Sequence, residues 1–172
     1  MILKTHLNYS IPYQILFTES IIEECHNDYL INKIEEGIKS KDNNNHWTNV
    51  KGEMTSWNFM VHDEVFKKLL FKSMDELQLD LPRLGVCEAW GFKINPNQHT
   101  QEHKHMCEYS GIFYLNDSDM TIDFPELRKS ITCSKNKFLF FSGVLLHGTK
   151  PLVKGVKYGI AFNLRNDVEK GN

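Results

Sequence analysis

The chain has 172 residues, 41% hydrophobic and 24% charged, long enough to bury a substantial core as one domain. A formal net charge of −2 gives no electrostatic footprint for a nucleic-acid partner, and no apolar run approaches the ~20 residues that span a bilayer. The four cysteines, Cys25, Cys87, Cys107 and Cys133, lack CxxC spacing, which argues for reduced thiols rather than a zinc ribbon or disulfide framework. No basic segment followed by a long apolar run opens the sequence. The expected location is therefore the cytoplasm.

Pro12 to Phe17 reads as a short opening strand. Ser20-Ile-Ile-Glu23 then matches a capping box, in which each side chain satisfies a free backbone amide at a helix start. Ile22, Cys25, Tyr29, Ile34 and Ile38 recur at helical spacing and predict one apolar face, closed by Gly37 and a polar loop over 40–45. Trp47 and Trp57 lie in a polar stretch without clear periodicity, where large aromatics either pack in the core or line a cleft. Asp63 is placed to cap a second helix with the buried stripe Val65, Phe66, Leu69, Leu70, Met74 and Leu77, ended at Leu81-Pro82.

From Gly85 the period becomes that of strands. Eight are predicted: 86–94, 100–106, 109–115, 120–124, 130–133, 137–141, 144–148 and 156–164. Helices followed by a run of strands predict an α+β chain, with residues 1–84 supporting a β-sandwich formed by 85–165.

Two stretches carry the chemistry. The first, from Gln98 to Leu115, holds His103 and His105; on a strand, residues i and i+2 point the same way, so both imidazoles can face one centre. The second holds His147 between apolar runs and Lys157 ten residues later. Three imidazoles suit iron, zinc, copper or nickel, and three ligands on one face leave the opposite side open. Spacing alone fits zinc hydrolysis, a three-histidine cupin-type dioxygenase, or iron oxygenation, and a β-sandwich binding module without metal also accommodates it.

The residues around these histidines narrow the choice. The chain reads I-N-P-N-Q-H-T-Q-E-H-K-H from Ile94, S-G-I-F-Y-L-N-D from Ser110, and H-x9-K from His147 to Lys157. Over about Val86 to Leu164 it resembles the prolyl-4-hydroxylase-like branch of the 2-oxoglutarate/Fe(II) oxygenases, which read Y-x-P-G-Q-x-Y-x-x-H-x-D, then Y-Y-L-N, then H-x9-K or H-x8-R. The Q-E-x-H-x-H and S-G-x-x-Y segments are similar to bacterial and phage members. The resemblance implies a double-stranded β-helix (jelly-roll, cupin-like) core with the N-terminal helices packed on one sheet. It also implies Fe(II) as metal, 2-oxoglutarate as cosubstrate, and hydroxylation of an unactivated C–H bond by dioxygen. The substrate would be a small molecule or a prolyl, other peptidyl or amino-acid group.

Carried over residue by residue, His103 and His147 are metal ligands, and Lys157 pairs with the distal carboxylate of 2-oxoglutarate, helped by Tyr114 and by the hydroxyl of Thr149. A strand-end lysine with its ammonium in water is the alternative for Lys157. Two positions depart from the pattern. His105 stands where the family has aspartate, and is expected as the third ligand; a water, Glu102, Glu108 or His99 are the other candidates. Ile94 stands where a tyrosine contacts the cosubstrate.

Overall fold

The run Phe138-Leu139-Phe140-Phe141 has no polar alternation because both faces of its strand are covered. Leu139 and Phe141 join one apolar cluster, whereas Phe138 and Phe140 join another on the opposite face. The same division runs through the neighbouring strands and organises the molecule. A computed structural model describes residues 2–6, 12–22, 26–40, 48–78 and 84–166. Its elements are β1 (Ile2–His6), β2 (Pro12–Ile21), α1 (Asn27–Lys39), β3 (Glu53–Met54), α2 (Glu64–Glu76), β4 (Leu84–Ile94), β5 (Tyr109–Tyr114), β6 (Thr121–Phe124), β7 (Lys129–Thr132), β8 (Lys137–Ser142), β9 (Gly148–Thr149) and β10 (Lys157–Asn166).

Seven strands form one sheet in the order β1-β2-β8-β5-β10-β4-β3, and three form a second in the order β7-β6-β9. Every pairing is antiparallel. The fold is a double-stranded β-helix of α+β class. Between the sheets lie Phe17, Phe92, Ile112, Tyr114, Phe124 and Phe141, among others. On the outer face of the large sheet, Leu30 and Ile34 of α1 and Phe66, Leu69 and Leu70 of α2 pack on Phe113, Phe138, Phe140, Ile160 and Phe162. The helices thus cover one sheet and leave the space between the sheets for a site.

Asp63 caps α2 as expected, its Oδ1 accepting from the Phe66 amide at 2.8 Å. The capping box at Ser20 does not start a helix. Ser20 is a β2 residue paired with Phe138, and α1 begins seven residues later at Asn27. Cross-strand pairing with β8 overrides the local capping signal, since it satisfies the same backbone groups and buries a strand beside an aromatic neighbour. The buried stripe of α1 is correspondingly shifted to Leu30, Ile34 and Gly37, and Tyr29 is exposed with its hydroxyl donating to Asp63. Glu23, Cys25, the 41–45 part of the loop, Trp47, and Leu81-Pro82 lie outside the described residues.

Two expected strands are also corrected. Residues 100–106 form no regular strand, and 144–148 contracts to Gly148–Thr149. Instead, the 97–105 segment threads between two neighbours through separated contacts. Val50 bridges Thr100 on one side, and His103 bridges His147 on the other. The Thr149 and Leu152 amides donate to the carbonyls of Thr100 and Gln98.

Gly111 sits where β5 passes the Phe162 ring of β10. A Cβ there would stand 2.2 Å from Phe162 Cζ and 2.8 Å from the Leu139 carbonyl oxygen. The backbone contact cannot be relieved by a rotamer change. Gly111→Ala is therefore expected to lower stability by about 1–3 kcal/mol, read as a lower denaturant midpoint at unchanged m-value.

Candidate metal centre

His103 and His147 are brought together by their own backbones. The His103 amide donates to the His147 carbonyl at 2.9 Å, and the His147 amide returns the bond at 3.1 Å. His105 is fixed by its amide donating to the Gly143 carbonyl at 2.8 Å. The two imidazoles of the H-x-H segment share a centre, although the His103–His147 bridge and the His105–Gly143 bond, rather than a continuous strand, hold the segment.

One ring nitrogen from each of His103, His105 and His147 lies within 4.8 Å of the other two. The tautomers of two follow from their partners. His103 Nδ1 faces the Gln101 carbonyl at 2.8 Å, and His147 Nδ1 faces the Leu145 carbonyl at 2.9 Å. A carbonyl only accepts, so each Nδ1 carries the proton and each Nε2 keeps its lone pair for the centre. His105 Nε2 lies 3.2 Å from His147 Nε2. Phe124 stacks on the His147 ring and Phe141 meets it edge-on, which locks the ring of this 3%-exposed residue.

Burial sets the protonation of the cluster. Desolvation lowers the pKa of all three imidazoles, to about 2 for His105 and about 3 for His147, with neighbouring imidazoles adding repulsion. All three are neutral near pH 7, the form that ligates a metal. Three neutral nitrogens converging from a buried wall form a donor set suited to a borderline divalent ion. Glu102 and Glu108 are exposed, and neither they nor His99 belongs to the converging set. Cys107 is half-buried and its thiol pKa is pushed up to about 12, chiefly by desolvation, so the thiol is protonated beside the centre.

The histidines line a cavity between the sheets, walled also by Phe92, Ile94, Ile112, Met120 and Ile122. Lys157 and Tyr114 also line it, each 1% exposed. Neither Lys157 Nζ nor the Tyr114 hydroxyl has a hydrogen-bond partner among the described residues, and Nζ rests 3.6 Å from the centroid of the Tyr114 ring. Both therefore retain unused hydrogen-bonding capacity inside an apolar chamber, so the strand-end alternative for Lys157 does not hold. Thr149 also lines the chamber, where its hydroxyl oxygen accepts from the Thr100 amide at 2.8 Å. Ile94 is an apolar wall, and Tyr114 brings a phenol to the same chamber from β5.

A groove adjoins the cavity and shares His103, His105 and Trp90 with it. Its further lining includes Trp57, Glu88 and Asn163, of which only Trp57 was flagged in the sequence as a possible cleft residue. Trp57 also packs edge-on against Trp90 at 4.7 Å, so packing and lining coincide.

Burial lowers the Lys157 pKa from 10.5 to about 8, with the nearby Cys133 thiol opposing the shift. Between those values the unfolded chain holds a proton that the folded chain releases, so the penalty is full below pH 8 and fades as pH rises toward 10.5. In metal-free protein, Lys157→Met is expected to be more stable than wild type at pH 7, by on the order of 1–4 kcal/mol, the gap narrowing above pH 8 and closing only beyond pH 10.5.

No protein-family model matches the chain, and no curated protein matches its sequence. In three dimensions it is similar to the viral collagen prolyl hydroxylase of Paramecium bursaria Chlorella virus-1, solved as its 2OG complex. The TM-score is 0.67 at 20% identity, over 87% of this chain and 96% of that one. A prolyl-4-hydroxylase of Pseudomonas putida gives 0.64 at 14% identity, over 87% and 92%. A non-heme alpha-ketoglutarate-dependent carbocyclase from nogalamycin biosynthesis gives 0.67 at 12%, over 90% and 84%. The chain has the double-stranded β-helix fold of these proteins over most of its length.

Proposed function

We propose that this chain is a non-haem Fe(II)- and 2-oxoglutarate-dependent dioxygenase that hydroxylates an unactivated C–H bond of a peptidyl or amino-acid substrate. The observation that carries this reading is a buried ammonium with no hydrogen-bond or carboxylate partner among the described residues, in the same cavity as three converging imidazoles. A metal alone gives no reason for Lys157. A dicarboxylate that ligates the metal at one end gives the ammonium its counter-anion at the other. The proteins of this fold named above include one solved with 2OG and one described as dependent on it, which supports the same cosubstrate here.

His103, His105 and His147 would hold the iron through neutral nitrogens, and Lys157 with the Tyr114 hydroxyl would hold the distal carboxylate. Iron with 2-oxoglutarate and dioxygen supplies the oxidising power for C–H hydroxylation, with release of succinate and carbon dioxide. The chain's own part is positional. The carbonyls of Gln101 and Leu145 keep two Nδ1 protons outward, so neither imidazole can rotate without losing a hydrogen bond. The walls of Phe92, Ile112, Met120 and Ile122 exclude bulk water, which strengthens the ammonium–carboxylate attraction.

A three-histidine dioxygenase without a ketoacid is favoured by His105 in the aspartate position, yet it leaves Lys157 unexplained. Anaerobic titration of the Fe(II)-loaded protein with 2-oxoglutarate separates the two, a visible charge-transfer band being expected. Flat spectra with stoichiometric iron would favour the ketoacid-independent enzyme. Loss of stoichiometric iron binding and of turnover is expected for His103→Ala and His147→Ala; activity surviving in His147→Ala would refute the assignment. Lys157→Ala should chiefly weaken 2-oxoglutarate binding, by about 2–5 kcal/mol, with iron binding retained.

A further inference from the structure

Glu88 and Asn163 face each other across β4 and β10, immediately before a register shift that leaves Cys87 without a cross-strand partner. Both line the groove that opens on His103 and His105. Asn163 Nδ2 donates to Glu88 Oε2 at 2.6 Å, so the amide is oriented and its Oδ1 must point elsewhere. Asn163 is 5% exposed, and that Oδ1 is buried without a hydrogen-bond partner among the described residues. Glu88 is half-buried and has no ion-pair partner among the described residues.

The cations of the groove do not neutralise it. Lys104 is turned to Glu126 at 2.9 Å, and Arg165 is exposed and donates to the Met106 carbonyl. One wall is aromatic, with Trp57 edge-on to Trp90 and the Trp90 Nε1 donor also without a hydrogen-bond partner among the described residues. A carboxylate, an orphaned amide oxygen and two indoles beside one another match a ligand that is cationic and rich in N–H donors. An anion would meet Glu88, and a purely apolar ligand would leave Asn163 Oδ1 unsatisfied.

Building on the oxygenase reading, we propose that the groove selects a basic amino-acid residue as substrate. Its ammonium or guanidinium is held by Glu88 and Asn163 Oδ1 against the Trp57–Trp90 wall, and its aliphatic stem is directed toward the three histidines. Trp90 Nε1 serves a carbonyl of the same ligand. Asn163 acts as a positioning residue for the Glu88 carboxylate as well as an acceptor.

The test titrates tryptophan fluorescence with three matched probes: the N-acetyl amides of lysine, norleucine and glutamate. It is run on protein loaded with Zn(II) and 2-oxoglutarate, and again on metal-free protein. The lysine probe should bind about 10–100-fold tighter than norleucine, with glutamate weakest. Glu88→Gln should bring lysine and norleucine within about threefold of each other, while 2-oxoglutarate binding by calorimetry stays at the wild-type value. Glu88→Lys should reverse the order in favour of glutamate. Equal binding of lysine and norleucine to wild type overturns the proposal, and so does a lysine preference that survives Glu88→Gln. If Glu88→Gln fails to fold, the wild-type comparison alone decides. Lysine preference in metal-free protein that neither binds iron nor responds to 2-oxoglutarate would sink the oxygenase reading and leave the groove's selectivity standing.

Discussion

The site depends on the pair of backbone hydrogen bonds exchanged between His103 and His147. These residues lie more than forty positions apart, and neither sits in a long strand that would fix it by repetition. The two bonds set the chains at antiparallel spacing at that one point. Both side chains then project to the same side, their ring centroids 4.4 Å apart. Lys157 and Tyr114 are placed by β10 and β5 of the large sheet, whereas the imidazoles of the cavity are referenced to that bridge. His105 follows two residues later, held by Gly143. Thr149 and Thr100 lock the far side of the same seam.

Burial does the remaining chemical work. The imidazoles are neutral because the sheets desolvate them, and Lys157 is costly to keep charged for the same reason. The large sheet achieves this by being covered twice, by the helices outside and by the small sheet inside. Strands such as β8 and β5 thus need apolar residues at nearly every position. Gly111 and Gly159 mark points where a ring and a carbonyl of neighbouring strands come too close for a side chain.

Much of this was legible in the residues. The helical stripe and Asp63 cap of α2, and the apolar runs of β4, β5, β8 and β10, announce themselves through period and capping chemistry. The His103, His105, His147 and Lys157 set followed from strand parity, spacing and family resemblance, and the four residues do line one cavity. The errors have a common cause. Ser20 carries a capping signature yet pairs with Phe138, and 100–106 alternates like a strand yet is paired only at separated points. In both, partners remote in sequence decide, and they leave no local trace. Glu88 and Asn163 went unnoticed for the same reason, since their meeting depends on how β4 and β10 are registered around Cys87.

The resting place of the Lys157 ammonium has a bearing on how quickly the cavity can be filled. Had a glutamate or aspartate neutralised it, an entering anion would first have to displace an intramolecular rival. The Tyr114 ring offers the cation partial compensation through its π-face at 3.6 Å, and it leaves the ammonium's remaining N–H directions uncommitted. A carboxylate entering the cavity would therefore require no prior dissociation step there. An anion entering beside this ammonium would find little to reorganise.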